Sequence, residues 1–229
     1  WDKSSWLSSK KYFKELSKTL IEFLDITEEK NIIDIGCGRG YLLEALALNA
    51  NLINKPFGVE PVKHNDPISQ NIQIANYSIN SFLNENNSKF DLVILKQVLH
   101  LLNLNERQNF YHDIKNHIND DAKILFIYMN DQTEIPLFPL MENKLKQSLN
   151  SHQLLSEELN QNFNLFKILN FNYNVKISLE EYLEMIGNRY MTVLLDLSEK
   201  EIKEGINFIK INYPNQLIFK DTLTIEVFD

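Results

Sequence analysis

Six glycines occur in 229 residues, and three of them, Gly36, Gly38 and Gly40, fall within the stretch Gly36-Cys37-Gly38-Arg39-Gly40. Such clustering in a glycine-poor chain has a local cause: without Cβ atoms the backbone takes positive φ and a ligand can lie against the main chain. The stretch follows the apolar run Asn31 to Ile35 and precedes Tyr41 to Leu48, where Leu and Ala recur at helical spacing. The glycines therefore sit where a buried strand hands over to a helix N-terminus, the position at which open α/β sheets hold ligands. A dinucleotide fingerprint, G-x-G-x-x-G, needs its third glycine at residue 41, which is Tyr41. Asp34, at the end of the strand, repels a pyrophosphate and favours a cationic ligand bearing an ammonium and a sulfonium. Glu60 ends a second strand about twenty residues beyond the loop, where a carboxylate can accept both hydroxyls of a ribose.

Other residues have two readings each. His100 follows a strongly apolar strand in Lys96-Gln97-Val98-Leu99-His100; it either takes a proton from an acceptor or is a packed, hydrogen-bonded histidine. His152 either faces substrate or lies in the packing of its segment, whereas His64, His112 and His117 are read as surface residues. Arg189, placed in a helix among Met185, Ile186, Tyr190 and Met191, either clamps a substrate carboxylate or forms a salt bridge with Glu181, Glu184 or a neighbouring element. Tyr128, Phe138 and Tyr190 are pocket or core aromatics. Cys37 reads as a small packing residue, since nothing nearby in sequence would activate a thiol.

The elements that must hold these residues follow from periodicity. Phe13, Leu16, Leu20 and Phe23 predict a helix over roughly residues 8 to 24. Strands are predicted at Asn31 to Ile35, Lys55 to Glu60, Ile72 to Ala75, Phe90 to Leu95 and Ala122 to Met129. Asn103 with Glu106 predicts a capped helix to about Ile118, and Ser178 with Glu181 and Ser198 with Glu201 predict two more capping boxes. Leu165 to Ile177 and Leu217 to Phe228 read as the closing strands. Alternating strands and helices predict an α/β fold with a mostly parallel sheet covered on both faces. Residues 130 to 162, with Pro136, Pro139 and a helical pattern from Met141 to Leu155, are read as a cover over the sheet's edge. The expected organisation is one domain over 1–229, with an N-terminal helical segment (1–26), a cofactor-binding core (28–129), the cover insertion (130–162) and C-terminal strands and helices (163–229).

Composition narrows the function classes. A formal charge of −8, with Lys and Arg scattered, opposes nucleic-acid binding. The longest apolar runs are broken well before the roughly 20 residues of a membrane span, and Trp1, Asp2 and Lys3 begin no signal-peptide core. A soluble, cytoplasmic protein is expected. One cysteine leaves no intramolecular disulfide, and no Cys/His spacing suits a metal. The oligomeric state is not legible.

The segments Ile32-Ile33-Asp34-Ile35-Gly36-Cys37-Gly38-Arg39-Gly40, Gly58-Val59-Glu60 and Phe90-Asp91-Leu92-Val93 together resemble the class I S-adenosylmethionine-dependent methyltransferases, over roughly residues 28 to 129. The resemblance implies a Rossmann-like, doubly wound, seven-stranded sheet whose last strand is antiparallel. It also implies S-adenosylmethionine as cofactor, with the Gly36–Gly40 loop around its methionine part and Glu60 on its ribose. The implied cofactor set is Asp34, Gly36, Cys37, Gly38, Gly40, Glu60, Pro61, Asn76, Tyr77, Lys96 and Gln97. Where such families often place an acid after the third strand, this chain has Asn76, Tyr77 and Ser78, so Asn76 or a backbone amide takes the adenine contact. The tail, Ile177-Ser178-Leu179-Glu180-Glu181-Tyr182 through Asn188-Arg189-Tyr190-Met191, is similar to small-molecule methyltransferases of the trans-aconitate type. Methyl transfer to a small molecule, with an oxygen, nitrogen or carboxylate acceptor, is the implied activity; His100 is its candidate base, and Tyr128, His152 and Arg189 are its candidate substrate contacts. Methylation of protein or nucleic acid, and a non-catalytic cofactor-binding module, are the alternatives.

Overall fold

The computed structural model describes residues 6–64 and 69–229; the expectation drawn from Trp1, Asp2 and Lys3 lies outside them. Helix α1 (Lys10–Leu24) leads into strand β1 (Ile32–Ile35), and α2 (Tyr41–Asn49), β2 (Phe57–Val59), β3 (Gln73–Ala75), α3 (Ile79–Glu85) and β4 (Phe90–Lys96) follow. The chain continues through α4 (Leu104–Asp113), β5 (Ile118–Met129), α5 (Pro139–Asn162), β6 (Leu165–Ser178), α6 (Leu179–Gly187), α7 (Glu199–Asn212) and β7 (Gln216–Phe228). The seven strands lie in the order β3-β2-β1-β4-β5-β7-β6. β1 to β5 pair in parallel, and β7 alone runs against its neighbours, inserted antiparallel between β5 and β6. The sequence-based reading of an α/β sheet with an antiparallel last strand holds.

Local chemistry sets the helix starts. The Ser9 and Ser78 side chains accept from the backbone of Tyr12 and Ser81, and Asn103–Glu106, Ser178–Glu181 and Ser198–Glu201 each form a reciprocal capping box. Alternation along the strands divides the core in two. Ile32, Leu92, Ile94, Leu125 and Ile127 face α1, α2, α6 and α7, while Ile33, Ile35, Val93, Leu95, Ile124 and Phe126 face α3, α4 and α5. By the same parity Asp34, Lys96 and Asp221 share the α1 side of the sheet, an arrangement that matters for the site.

Two expectations are corrected. The segment from 130 to 162 does not cover an edge: the sheet's edges are β3 and β6, whereas α5 lies against β5, sending Met141 and Leu145 into one core and Leu155 and Leu159 into the other. It is the crossover that carries the chain from β5 past β7 to β6. His117 is not a surface residue; it closes the turn after α4, is buried, and its Nδ1 lies 3.4 Å from the Ser88 carbonyl oxygen. Gly205, inside α7, exists for a packing reason, since a Cβ there would stand 2.6 Å from the Phe138 ring. Gly205→Ala is therefore expected to destabilise the fold by about 1 to 3 kcal/mol despite alanine's better helix propensity, as read by chemical denaturation.

Candidate active site

The site is built at the C-terminal ends of β1, β2 and β4. The backbone leaves β1 through Gly36, Gly38 and Gly40, all with left-handed φ of 69°, 55° and 74°. Their reasons differ. A Cβ on Gly36 would lie 2.5 Å from Val98 Cγ2, so the absent side chain lets the ends of β1 and β4 come together. Gly40 caps α2 and faces Ile72. Gly38 has nothing within 4 Å of its Cβ position, which leaves its backbone open to a guest. Opposite it, Glu60 accepts the Gly38 N–H at 3.0 Å on Oε2 and the Val62 N–H at 2.9 Å on Oε1. Each carboxylate oxygen keeps a second lone-pair site for a ligand hydroxyl.

A cavity of about 350 Å³ opens beside Gly36 and Glu60, with Pro61 on its rim and Ile79, Val98 and Leu102 as apolar walls. An open glycine backbone, a carboxylate with spare acceptor sites and an apolar slot fit a nucleoside. Asp34, whose side chain turns to the α1 face of β1, has 2% of its surface exposed and Oδ1 without a partner. Burial raises its carboxyl to about 7, with Lys96 pulling the other way and Glu60 adding to the rise. A buried acid poised near neutrality with an unsatisfied oxygen is suited to a cationic guest.

A second cavity of about 260 Å³ meets the first at Gln97 and Leu101. Gln97 takes φ of 52° and donates its N–H to the Ile127 carbonyl at 2.8 Å, an unusual conformation for a side-chain-bearing residue that turns the chain off β4 between the two spaces. Lys96, His100 and His152 line the second cavity with Met129, Tyr190 and Met191. The imidazoles of His100 and His152 meet edge to face, 5.7 Å apart. Burial lowers the pKa of both, to about 4 for His152, where His100 adds to the effect, so both are neutral at pH 7. Burial also lowers the Lys96 ammonium, opposed by Asp34 and by Asp221, a second buried acid whose Oδ2 accepts from Trp6 Nε1 at 2.8 Å.

Not every sequence-derived candidate reaches these spaces. Arg189 lies beyond the end of α6 with φ of 54°, and its guanidinium donates to the carbonyls of Leu194 and Leu197 and to Glu199 at 2.6, 2.5 and 2.8 Å. It holds the turn into α7 and is not among the residues that line either cavity. Tyr128 donates to Glu226 at 2.8 Å and lines a different cavity. Asn76 donates to the Glu60 carbonyl, Tyr77 is exposed, and Ser78, Ile79 and Asn80 line the nucleoside cavity in their place. Cys37 packs beneath the loop, where a Cβ on Gly58 would meet its Sγ at 2.5 Å, and burial raises its thiol pKa. Sequence reasoning missed Leu7, Ser8 and Thr192 to Val193, which have no motif, and Asp221, whose burial only the β7 register reveals.

Residues 9–171 match the family model of a methyltransferase domain. The chain belongs to this methyltransferase family. Its fold is similar to a SAM-dependent methyltransferase from Archaeoglobus fulgidus (14% identity, TM-score 0.55, 99% of this chain and 97% of that one). It is also similar to a methyltransferase assigned to an antibiotic biosynthesis pathway in Anabaena variabilis (13%, TM-score 0.60, 92% and 95%). A third likeness is to a cyclopropane synthase from Mycobacterium tuberculosis (11%, TM-score 0.56, 100% and 87%). No curated protein is similar enough to the sequence to count as a match. The methyltransferase fold places the glycine turn where the sequence pattern predicted it. The class I likeness read in the sequence thus extends to the domain family and the sheet order.

Two expectations follow for the methyltransferase. With Glu60 read as the acceptor for the ribose hydroxyls, Glu60→Ala should weaken S-adenosylhomocysteine binding by about 1.5 to 3 kcal/mol in isothermal titration. Asp34 is mostly protonated below its raised pKa and ionised above it. Affinity for S-adenosylmethionine should therefore rise about tenfold from pH 6 to pH 8 and then level off, a slope that Asp34→Asn should flatten.

Proposed function

We propose that this methyltransferase, whose methyl donor is S-adenosylmethionine, passes the methyl group to a small molecule seated in the second cavity. The observation that carries the reading is the junction at Gln97 and Leu101, which brings a partly open, largely apolar space against the first cavity. That space is bounded by α5 and by the turn after α6, and at about 260 Å³ its size suits a small acceptor. Oxygen and nitrogen acceptors, carboxylates among them, are the substrate class, and the likeness of the tail to trans-aconitate-type enzymes supports that choice. The whole of 1–229 is read as one catalytic unit, in a cytoplasmic setting consistent with its single free cysteine.

When bound, the sulfonium supplies an electrophilic methyl group and a neutral leaving group. The protein's part is alignment. Asp34, Gly38 and Glu60 hold one reactant, the second cavity holds the other, and the packed ends of β1 and β4 set their separation. An acceptor that carries a proton must lose it as the new bond to carbon forms. His100, neutral and on the cavity wall, is placed to receive it, and His152 supports the ring of His100 and keeps water away.

An S-adenosylhomocysteine release assay across small carboxylic acids, amines and phenols tests the proposal; failure to turn over any of them with cofactor binding intact would refute it. For a protonated acceptor, His100→Ala should lower kcat by about 10²-fold without changing cofactor affinity. Because burial depresses the His100 pKa below 6.5, wild-type kcat at saturating S-adenosylmethionine should hold from pH 8 to below pH 6.5 and fall only on the acid side.

A further inference from the structure

The face of the sheet beneath α5 carries charge that methyl transfer does not use. Along β7, Thr222, Thr224 and Glu226 alternate onto that face and are buried, with Glu226 opposite Phe126 of β5 and 6% exposed. Its Oε1 accepts from Tyr128 at 2.8 Å, its Oε2 has no partner, and no lysine or arginine among the described residues pairs with it. A carboxylate oxygen buried there without a donor leaves an acceptor position open to a ligand N–H.

Glu226 lines a cavity of about 350 Å³ between β7 and α5. Each charged residue on the wall is an acid: Glu226 on the β7 side, Asp131 after β5 and Glu157 on α5. Asn130, Asn150 and Gln153 add carbonyl acceptors, and the Tyr128 oxygen, having donated its proton to Glu226, is left as an acceptor too. This space shares one wall residue, Met129, with the acceptor cavity and is otherwise lined by different residues. α5 divides them, turning Leu145, Ser148 and His152 to one and Leu149, Gln153 and Ser156 to the other, and Gln97 and the glycine loop touch only the first two cavities. A bare metal ion does not fit: no three His, Cys, Asp or Glu side chains among the described residues converge closely enough to ligate one. Carboxylates spread from wall to wall call for a cation that has length and brings its own hydrogen-bond donors.

We propose that this cavity binds an organic di- or polyamine, with one primary ammonium on Glu226 and the rest of the chain directed to Asp131 and Glu157. An ammonium has three donors and no acceptor, which matches a wall rich in acceptors and without a cation, and the formal charge of −8 favours its approach.

Isothermal titration of the full chain with spermidine and with putrescine, in about 0.15 M NaCl to screen loose surface attraction, tests the site. Saturable one-to-one binding is expected, at least about tenfold weaker in Glu226→Gln. That variant should also melt no lower than wild type in the absence of amine, because the amide keeps the side chain's shape and an oxygen to accept from Tyr128. Equal affinity in wild type and Glu226→Gln would show general attraction to an acidic surface and overturn the proposal, as would absence of binding. Displacement of spermidine by equimolar Mg²⁺ would overturn the amine class. If Glu226→Gln fails to fold, Gln153→Lys decides, since a tethered ammonium on the cavity wall should abolish spermidine binding and unchanged affinity would refute the site.

Discussion

The structure depends on one close approach. Where β1 and β4 end side by side, residue 36 must present no side chain, because Val98 already occupies the place a Cβ would take. That contact draws the glycine turn against the start of the segment that carries Gln97, Leu101 and His100. Gly36 and Val98 line the first cavity, and Gln97 and Leu101 beside them are shared with the second, so packing between strand ends sets how the two spaces lie against each other.

Around this junction the protein buries ionisable groups unevenly. On the α1 side, Asp34, Lys96 and Asp221 lie within one another's electrostatic reach, two acids flanking one base, with Trp6 satisfying one oxygen of Asp221. Such a cluster is stable only if its charges are shared, and burial accordingly holds both acids above and the lysine below their ordinary values. On the other side of the sheet, Glu226 has a hydrogen bond from Tyr128 but no ionic partner. Buried acids thus occur on both faces of the sheet, with Lys96 of the first group on the wall of the second cavity and Glu226 on the wall of the space under α5.

The histidines illustrate how one residue type acquires different roles from burial. His117 is packed under the turn after α4, near a backbone carbonyl, and touches neither cavity. His100 and His152 come from segments fifty residues apart and meet only because α5 crosses over the end of β5. Each is kept uncharged by its surroundings, the condition a proton acceptor needs at neutral pH.

By itself the sequence determined the order of strands and helices, the capping boxes, the glycine turn and the acids at the ends of the first two strands. These are local matters, governed by periodicity, side-chain-to-backbone hydrogen bonds and positive φ, which a few neighbouring residues suffice to specify. It could not determine which face each buried acid shares, that Arg189 is tied to the carbonyls of Leu194 and Leu197, or that α5 crosses the sheet instead of covering its edge. Those outcomes depend on the register of β7 between β5 and β6 and on where a long crossover comes to rest. Strand register and helix docking are decided by packing between residues a hundred positions apart, and only the folded chain brings such residues together.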